Sequence, residues 1–290
     1  MIPTEFNRKI AEIRDDRVRG ASELARRALE ILGQAAREWP AATVEEWREG
    51  VSALSVEVAE TRPSMTPVRN LLGRWRNGLE RDATMGLDAA RQAATERAQA
   101  LIERSSRAVA ECASRVAELL GPHRTLMTHS FSSTVLASCR LLKGAGLRMI
   151  VTESRPLEEG RRLAEHLSSW KVPTVYITEA QMALFVARAD AVLVGADSVL
   201  ADGSAINKAG TSLLALAARE WRIPFYVACE SFKWREASDP PPDLEEMDPS
   251  ELKVPAWPGV TVRNIYFDVT PARLIGAWID ETGVRRNAAQ

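Results

Sequence analysis

Over the first 120 residues apolar positions recur at three- and four-residue spacing, the period of helices that bury one face. Ser22 to Gln34 sets Leu24, Ala28, Leu29, Ile31 and Leu32 on one stripe, and Leu87 to Leu120 extends the pattern through an alanine-rich tract. The same region holds only 6 of the 16 glycines and 4 of the 15 prolines, so little interrupts its helices and a bundle is expected over residues 1–120. The clear break is TRPSMTPVRN, residues 61–70, where two prolines and a hydroxyl cluster mark a turn and a new helix start.

From Gly121 onward short apolar runs alternate with helical stretches, which predicts an α/β domain over residues 121–290 with a parallel sheet wrapped by helices. The expected strands are Thr125–Thr128, Met149–Thr152, Thr174–Ile177, Ala191–Val194, Phe225–Ala228 and Asn264–Phe267. Helices are expected at Val135–Gly144, Leu157–Trp170, Glu179–Ala187, Lys208–Trp221 and Pro271–Asp280. Ligands of such sheets bind beyond the carboxyl ends of the strands, so the residues directly after each run are the candidates.

Ala191–Val194 runs into GADSVLADGSAINKAGT, where Gly195 and Ala196 leave room and Asp197 falls at the mouth of the sheet. After an Asp202-Gly203 turn, Asn207 stands where a helix N-cap belongs, with Lys208, Gly210 and Thr211 in the first turn. Free backbone N–H groups, the helix dipole and a lysine make an anion site; the same residues also read as an ordinary capped helix. Thr125–Thr128 runs into THSFSSTV, which gathers Ser130, Ser132, Ser133 and Thr134 beside His129 before a helix. Those hydroxyls suit phosphate oxygens and suit N-capping equally. A third strand end offers Glu153, Ser154 and Arg155, followed by Pro156 at a helix start.

Composition narrows the chemistry. The chain has 290 residues, 46% apolar and 27% charged, and no run approaches the ~18 apolar residues of a membrane span. With 38 basic and 39 acidic side chains the net charge is −1, which gives no footing for non-specific nucleic-acid binding, so no nucleic-acid or membrane partner is expected. Cys112, Cys139 and Cys229 are too scattered for a disulfide framework or a CxxC metal site and fit a reducing cytoplasm. The charged start lacks a signal-peptide core. No Walker loop, HExxH or GxSxG occurs, and GAGLRM (144–149) lacks the third glycine of a dinucleotide fingerprint, so neither a metal nor a cofactor is expected. The acidic, proline-rich stretch 238–260 reads as a surface loop or arm.

RGAS (19–22), TRPS (61–64), THSFSSTV (128–135), ESRP (153–156), GAD (195–197), NKAGT (207–211), FK (232–233) and FDVTP (267–271) occur in one order over nearly the whole chain. Together they resemble the family of the alpha, beta and delta subunits of translation initiation factor 2B and their sugar-phosphate isomerase relatives, most closely ribose-1,5-bisphosphate isomerase and more distantly methylthioribose-1-phosphate isomerase. The resemblance implies a helical N-terminal domain, a Rossmann-like C-terminal domain that forms a dimer or higher homo-oligomer, and a phosphosugar bound between the domains. It assigns ligand contacts to Arg19, Gly20, Ala21, Ser22, Arg62, Ser132, Ser133, Thr134, Asn207, Lys208 and Lys233.

Two catalytic positions follow from the same resemblance: Asp197, and a cysteine directly after Thr-His. Here that position is Ser130. A thiol near pKa 8.5 is tunable toward neutrality, whereas a serine needs a neighbouring base. His129 adjoins it, but neighbouring strand residues point to opposite faces. Three readings therefore stand together: an isomerase of ribose 1,5-bisphosphate type with another proton shuttle, a non-catalytic binder, or an enzyme whose cysteine was replaced by design. A regulatory or assembly subunit that senses sugar phosphate or a nucleotide effector is the alternative from another class.

Overall fold

The computed structural model describes residues 2–239 and 244–287. Two compact units divide the chain, Met1–Arg107 and Ala108–Gln290. The division falls inside a helix and not at Gly121, because Cys112, Val116 and Leu120 pack with strand and helix residues of the second unit.

The first unit is helical: α1 Thr4–Asp15, α2 Ala21–Glu38, α3 Val44–Glu60, α4 Thr66–Arg76, α5 Leu79–Asp82 and the beginning of α6, Leu87–Leu120. Thr43 starts α3 by accepting a hydrogen bond from the Glu46 N–H at 3.2 Å, while Glu46 Oε2 accepts from Ala42 N–H at 3.0 Å. The apolar stripe read from Ser22 to Gln34 is the buried face of α2, where Leu24, Ala28, Leu29 and Leu32 lose all solvent contact. Each such leucine contributes roughly 1.5–3 kcal/mol. Gly33 lets α6 approach closely, since a Cβ there meets Ala98 Cβ at 3.3 Å. Trp47 and Trp75 are fully buried and spend their indole N–H groups on Ala36 and Ala94 carbonyls.

The second unit carries a seven-stranded sheet built from β1 Thr125–Thr128, β2 Arg148–Thr152, β3 Thr174–Ile177, β4 Ala191–Val194, β7 Phe225–Ala228, β9 Ala277–Asp280 and β10 Gly283–Arg286. Its order is β10-β9-β7-β4-β1-β2-β3, parallel except for the β9–β10 edge. Alternation within strands feeds two cores: Leu126, Met149 and Leu193 enter one with α7 (Ser133–Leu142) and α8 (Glu159–Ser169), and Met127, Ile150 and Val192 enter the other with α9 (Met182–Phe185) and α10 (Thr211–Glu220). A small antiparallel sheet joins β5 Ser198–Val199, β6 Ala205–Lys208 and β8 Phe267–Thr270.

Several sequence expectations shift here. The stretch Pro271–Asp280 is not a helix: after a short 3-10 turn, Ala277–Asp280 is strand β9, inserted beside β7. The strand expected at Asn264–Phe267 begins at Phe267 and runs to Thr270, because Phe267 pairs with Lys208. The helix expected at Glu179–Ala187 breaks into 3-10 turns around the single turn of α9. Pro156 lies outside α8, which starts at Glu159, and its peptide bond with Arg155 is cis. Of the stretch 238–260, residues 240–243 lie outside the described residues.

Candidate functional site

The chain order reverses beside β1: β2 and β3 extend the sheet on one flank and β4 returns on the other. A crevice at the carboxyl ends of β1 and β4 is where such a topology places ligands. The two strand ends meet there closely, for a Cβ on Gly195 lies 2.5 Å from Ser132 Oγ, so only glycine fits beside that hydroxyl. Ser132 is the N-cap of α7, its Oγ accepting from Val135 N–H at 3.4 Å. Ser133 opens the helix, and Thr134 Oγ1 is fully buried without a hydrogen-bond partner among the described residues. Uncommitted N–H groups and hydroxyls at this dipole end suit one phosphate.

Ser130 follows β1 with φ of 68°, a left-handed conformation and not the extended one expected next to His129. A chain of hydrogen bonds holds it there. Ser130 N–H donates to Ser154 Oγ at 2.8 Å, Ser154 Oγ pairs with Thr152 Oγ1 at 3.0 Å, and Thr152 Oγ1 lies 2.7 Å from His129 Nδ1. His129 Nε2 lies 2.9 Å from the Ala209 carbonyl, an obligate acceptor, so Nε2 carries the proton and Nδ1 accepts from Thr152. Burial holds the His129 pKa down to about 4, helped by the Lys208 charge and opposed by Ala209 and Glu179. The imidazole is therefore neutral, with both nitrogens committed. No base is hydrogen-bonded to Ser130 Oγ among the described residues.

Asp197 follows β4 and is fixed by its own N–H, which donates to the Ile206 carbonyl at 2.8 Å. Lys233, after β7, is buried and pairs with Glu230 at 3.3 Å. Burial alone depresses the Lys233 pKa, but Glu230, Cys229 and Asp197 outweigh it, and the ammonium is held above its ordinary value. Asp197 and Lys233 thus share one electrostatic environment.

Asn207 and Lys208 require a correction. Neither caps nor enters a helix: both belong to β6, and the residue before α10 is Gly210, with φ of 108° and a Cβ position 3.0 Å from His129 Nε2. Asn207 Nδ2 donates to Thr211 Oγ1 at 3.0 Å. Lys208 Nζ pairs with Glu159 Oε1 at 2.8 Å and sits 4.1 Å from the Tyr266 ring centroid. The start of α10 is also no open anion site, because Asp268 of β8 already accepts from Gly210 N–H at 2.8 Å and Ser212 N–H at 3.1 Å.

Within the helical unit, Gly20 precedes α2, and Ala21 and Ser22 form its first turn; Ser22 Oγ is buried without a hydrogen-bond partner among the described residues. The exposed Arg19 pairs with Asp16 at 2.6 Å, and the buried Arg62 donates to the Asp16 carbonyl at 3.0 Å. The RGAS and TRPS motifs therefore meet at one place in this unit.

The pattern of the family described as "Initiation factor 2 subunit family" matches residues 17–287. The chain belongs to this family. A Pyrococcus horikoshii relative described as translation initiation factor eIF-2B subunit 2-like is 36% identical over 98% of this chain and 97% of its own. A ribose 1,5-bisphosphate isomerase of Haloferax volcanii is 33% identical over 96% and 88%. Among solved structures, Pyrococcus horikoshii translation initiation factor eIF-2B aligns with a TM-score of 0.84 at 34% identity, covering 99% of this chain and 98% of that one. The 5-methylthioribose 1-phosphate isomerase of the same organism aligns at 0.78 and 26%, covering 96% and 83%.

Against this family background, three groups at the strand ends escaped the sequence reading. Asp268 lies inside FDVTP, but only the β6–β8 pairing reveals that it caps α10. Glu159 was visible only as one residue of the helix expected at Leu157–Trp170. Tyr266 is held over Lys208 by the segment read as an acidic arm: its hydroxyl bonds to Glu251, and Asn264 Nδ2 donates to Glu251 Oε2 at 2.9 Å.

Proposed function

We propose that this member of the initiation factor 2 subunit family binds a phosphorylated ribose without isomerising it. The observation that carries this reading is that no base is hydrogen-bonded to Ser130 Oγ among the described residues, with His129 neutral and committed at both nitrogens. Moving a proton between adjacent sugar carbons needs groups that give and take it near neutrality. The family resemblance casts Asp197 as one of them; an unassisted serine hydroxyl does not supply the other. The thiols offer no substitute: burial pushes Cys139 up to about 12 and raises Cys112 and Cys229 as well. Binding is supported by the hydroxyl-lined start of α7, by the buried cations Lys208 and Lys233, and by relatives named for ribose 1,5-bisphosphate. A ligand-sensing subunit of a larger assembly is the form of this reading favoured by the relative described as subunit 2-like.

The test is calorimetric binding of ribose 5-phosphate, ribose 1-phosphate and ribose 1,5-bisphosphate, with ketose formation followed in parallel for the unmodified chain and Ser130→Cys. Binding by both forms with turnover confined to Ser130→Cys is expected. Turnover by the unmodified chain refutes the non-catalytic assignment, and failure of both forms to bind any of the sugars refutes the reading as a whole.

A further inference from the structure

The residues that close β1 and β2 are joined by a run of hydrogen bonds whose direction is fixed at both ends. The Ala209 carbonyl can only accept, so His129 Nε2, 2.9 Å away, is the protonated nitrogen and Nδ1 is an acceptor. Thr152 Oγ1, 2.7 Å from Nδ1, therefore spends its single proton there and has only lone pairs left for Ser154 Oγ at 3.0 Å. Ser154 donates to it and in turn accepts from Ser130 N–H at 2.8 Å, a group that can only donate. Each hydroxyl accepts on one side and donates on the other, the arrangement in which successive hydrogen bonds strengthen one another.

This relay ties the start of α7 to the strand end that carries Lys208. At one end Ala209 directly follows Lys208, whose charge reaches His129. At the other, Ser130 stands two residues before Ser132, the N-cap of α7. Ser130 and Ser154 both hold left-handed backbone, with φ of 68° and 64°, a conformation that persists in a serine only where its surroundings enforce it. Thr152 and Ser154 are fully buried and His129 nearly so, which leaves them no face for a ligand and confines their influence to the groups they hold. The Ser154 backbone is anchored separately, its N–H donating to Glu179 Oε1 at 2.6 Å, so its hydroxyl serves the Ser130 turn and not its own strand end.

We infer that Thr152 and Ser154 are positioning residues, which set the turn carrying Ser130 and leading into α7 against the strand end carrying Lys208, and so hold the site in its ligand-binding geometry. This rests on the phosphosugar reading above and deepens it. Calorimetric titration with ribose 5-phosphate, ribose 1-phosphate and ribose 1,5-bisphosphate compares the unmodified chain with Thr152→Val, Thr152→Ser and Ser154→Gly. Thr152→Val keeps the shape but leaves His129 Nδ1 with no donor and the Ser154 hydroxyl with the more distant carbonyl of residue 152, at 3.3 Å. It is expected to weaken the tightest-bound sugar about ten-fold. Thr152→Ser keeps the hydroxyl and is expected to bind within about three-fold of the unmodified chain. Ser154→Gly suits the left-handed backbone and retains the bond to Glu179, so its expected loss of about ten-fold reports the missing hydroxyl and not strain. The Nδ1 resonance of His129 is expected to move in Thr152→Val and to stay in Thr152→Ser, a signature that lost packing alone does not produce. Unchanged affinity in Thr152→Val or in Ser154→Gly overturns the inference, as does Thr152→Ser binding as weakly as Thr152→Val. Should Thr152→Val fail to fold, Ser154→Gly decides. An unmodified chain that binds none of the three sugars refutes the phosphosugar reading and this inference with it, whereas binding that ignores these substitutions refutes only the inference.

Discussion

Asp268→Asn should change the stability of the second unit in a pH-dependent way opposite to that of most carboxylates. Asp268 accepts from Gly210 and Ser212 N–H groups, which favours the ionised form, yet burial dominates and raises its pKa from 3.8 to about 6. Between those two values the folded state holds the proton more tightly than the unfolded one. Stability from this group therefore falls as pH rises through that window, and above it a constant cost of about 3 kcal/mol remains. From near pH 5 to near pH 7.5 the cost grows by about 1.4 kcal/mol. Asparagine keeps the shape and one acceptor for the α10 N–H groups but never ionises. The stability of Asp268→Asn minus that of the unmodified chain should thus move upward by about that amount across the interval. Denaturant unfolding at both pH values, read by hydrogen exchange of peptides from α10 and β7, reports the second unit separately. A difference that is flat with pH, or that moves downward, would refute the reasoning and show that helix capping outweighs burial at Asp268.

His129 should stay neutral across the physiological range. Its folded pKa of about 4 against an ordinary 6.5 means that the unfolded chain binds the proton first, so stability should fall as pH drops from about 6.5 toward about 4. Nitrogen chemical shifts of the imidazole check this, and a titration midpoint near 6.5 would contradict it. Gly160→Ala forces a Cβ to within 1.7 Å of the Thr152 carbonyl oxygen, a backbone atom that cannot step aside. It should cost about 3 kcal/mol or more, read as lost soluble yield or a lowered unfolding midpoint; a variant with unchanged midpoint would show that α8 can withdraw from β2.

What the sequence conveyed and what it withheld divide along the range of the interactions involved. The strands β1, β2, β3, β4 and β7 were legible because each is a local apolar run, and Ser132 was legible as a cap because capping spans three residues. The small sheet was not, since β6 owes its strand state to β8, about sixty residues later, and nothing near AINK announces that partner. The same hidden pairing moved Asn207 and Lys208 from a helix start to a strand, and gave the supposed anion site at α10 to Asp268. Pro271–Asp280 failed for a related reason: AWID becomes β9 only because β7 offers an open edge. Electrostatics was the least legible layer. The family resemblance marks Lys208 and Lys233 as phosphate ligands without revealing that each has an acid beside it, Glu159 at 2.8 Å and Glu230 at 3.3 Å. A motif lists which charges lie close in sequence, and only the fold shows which of them lie close in space.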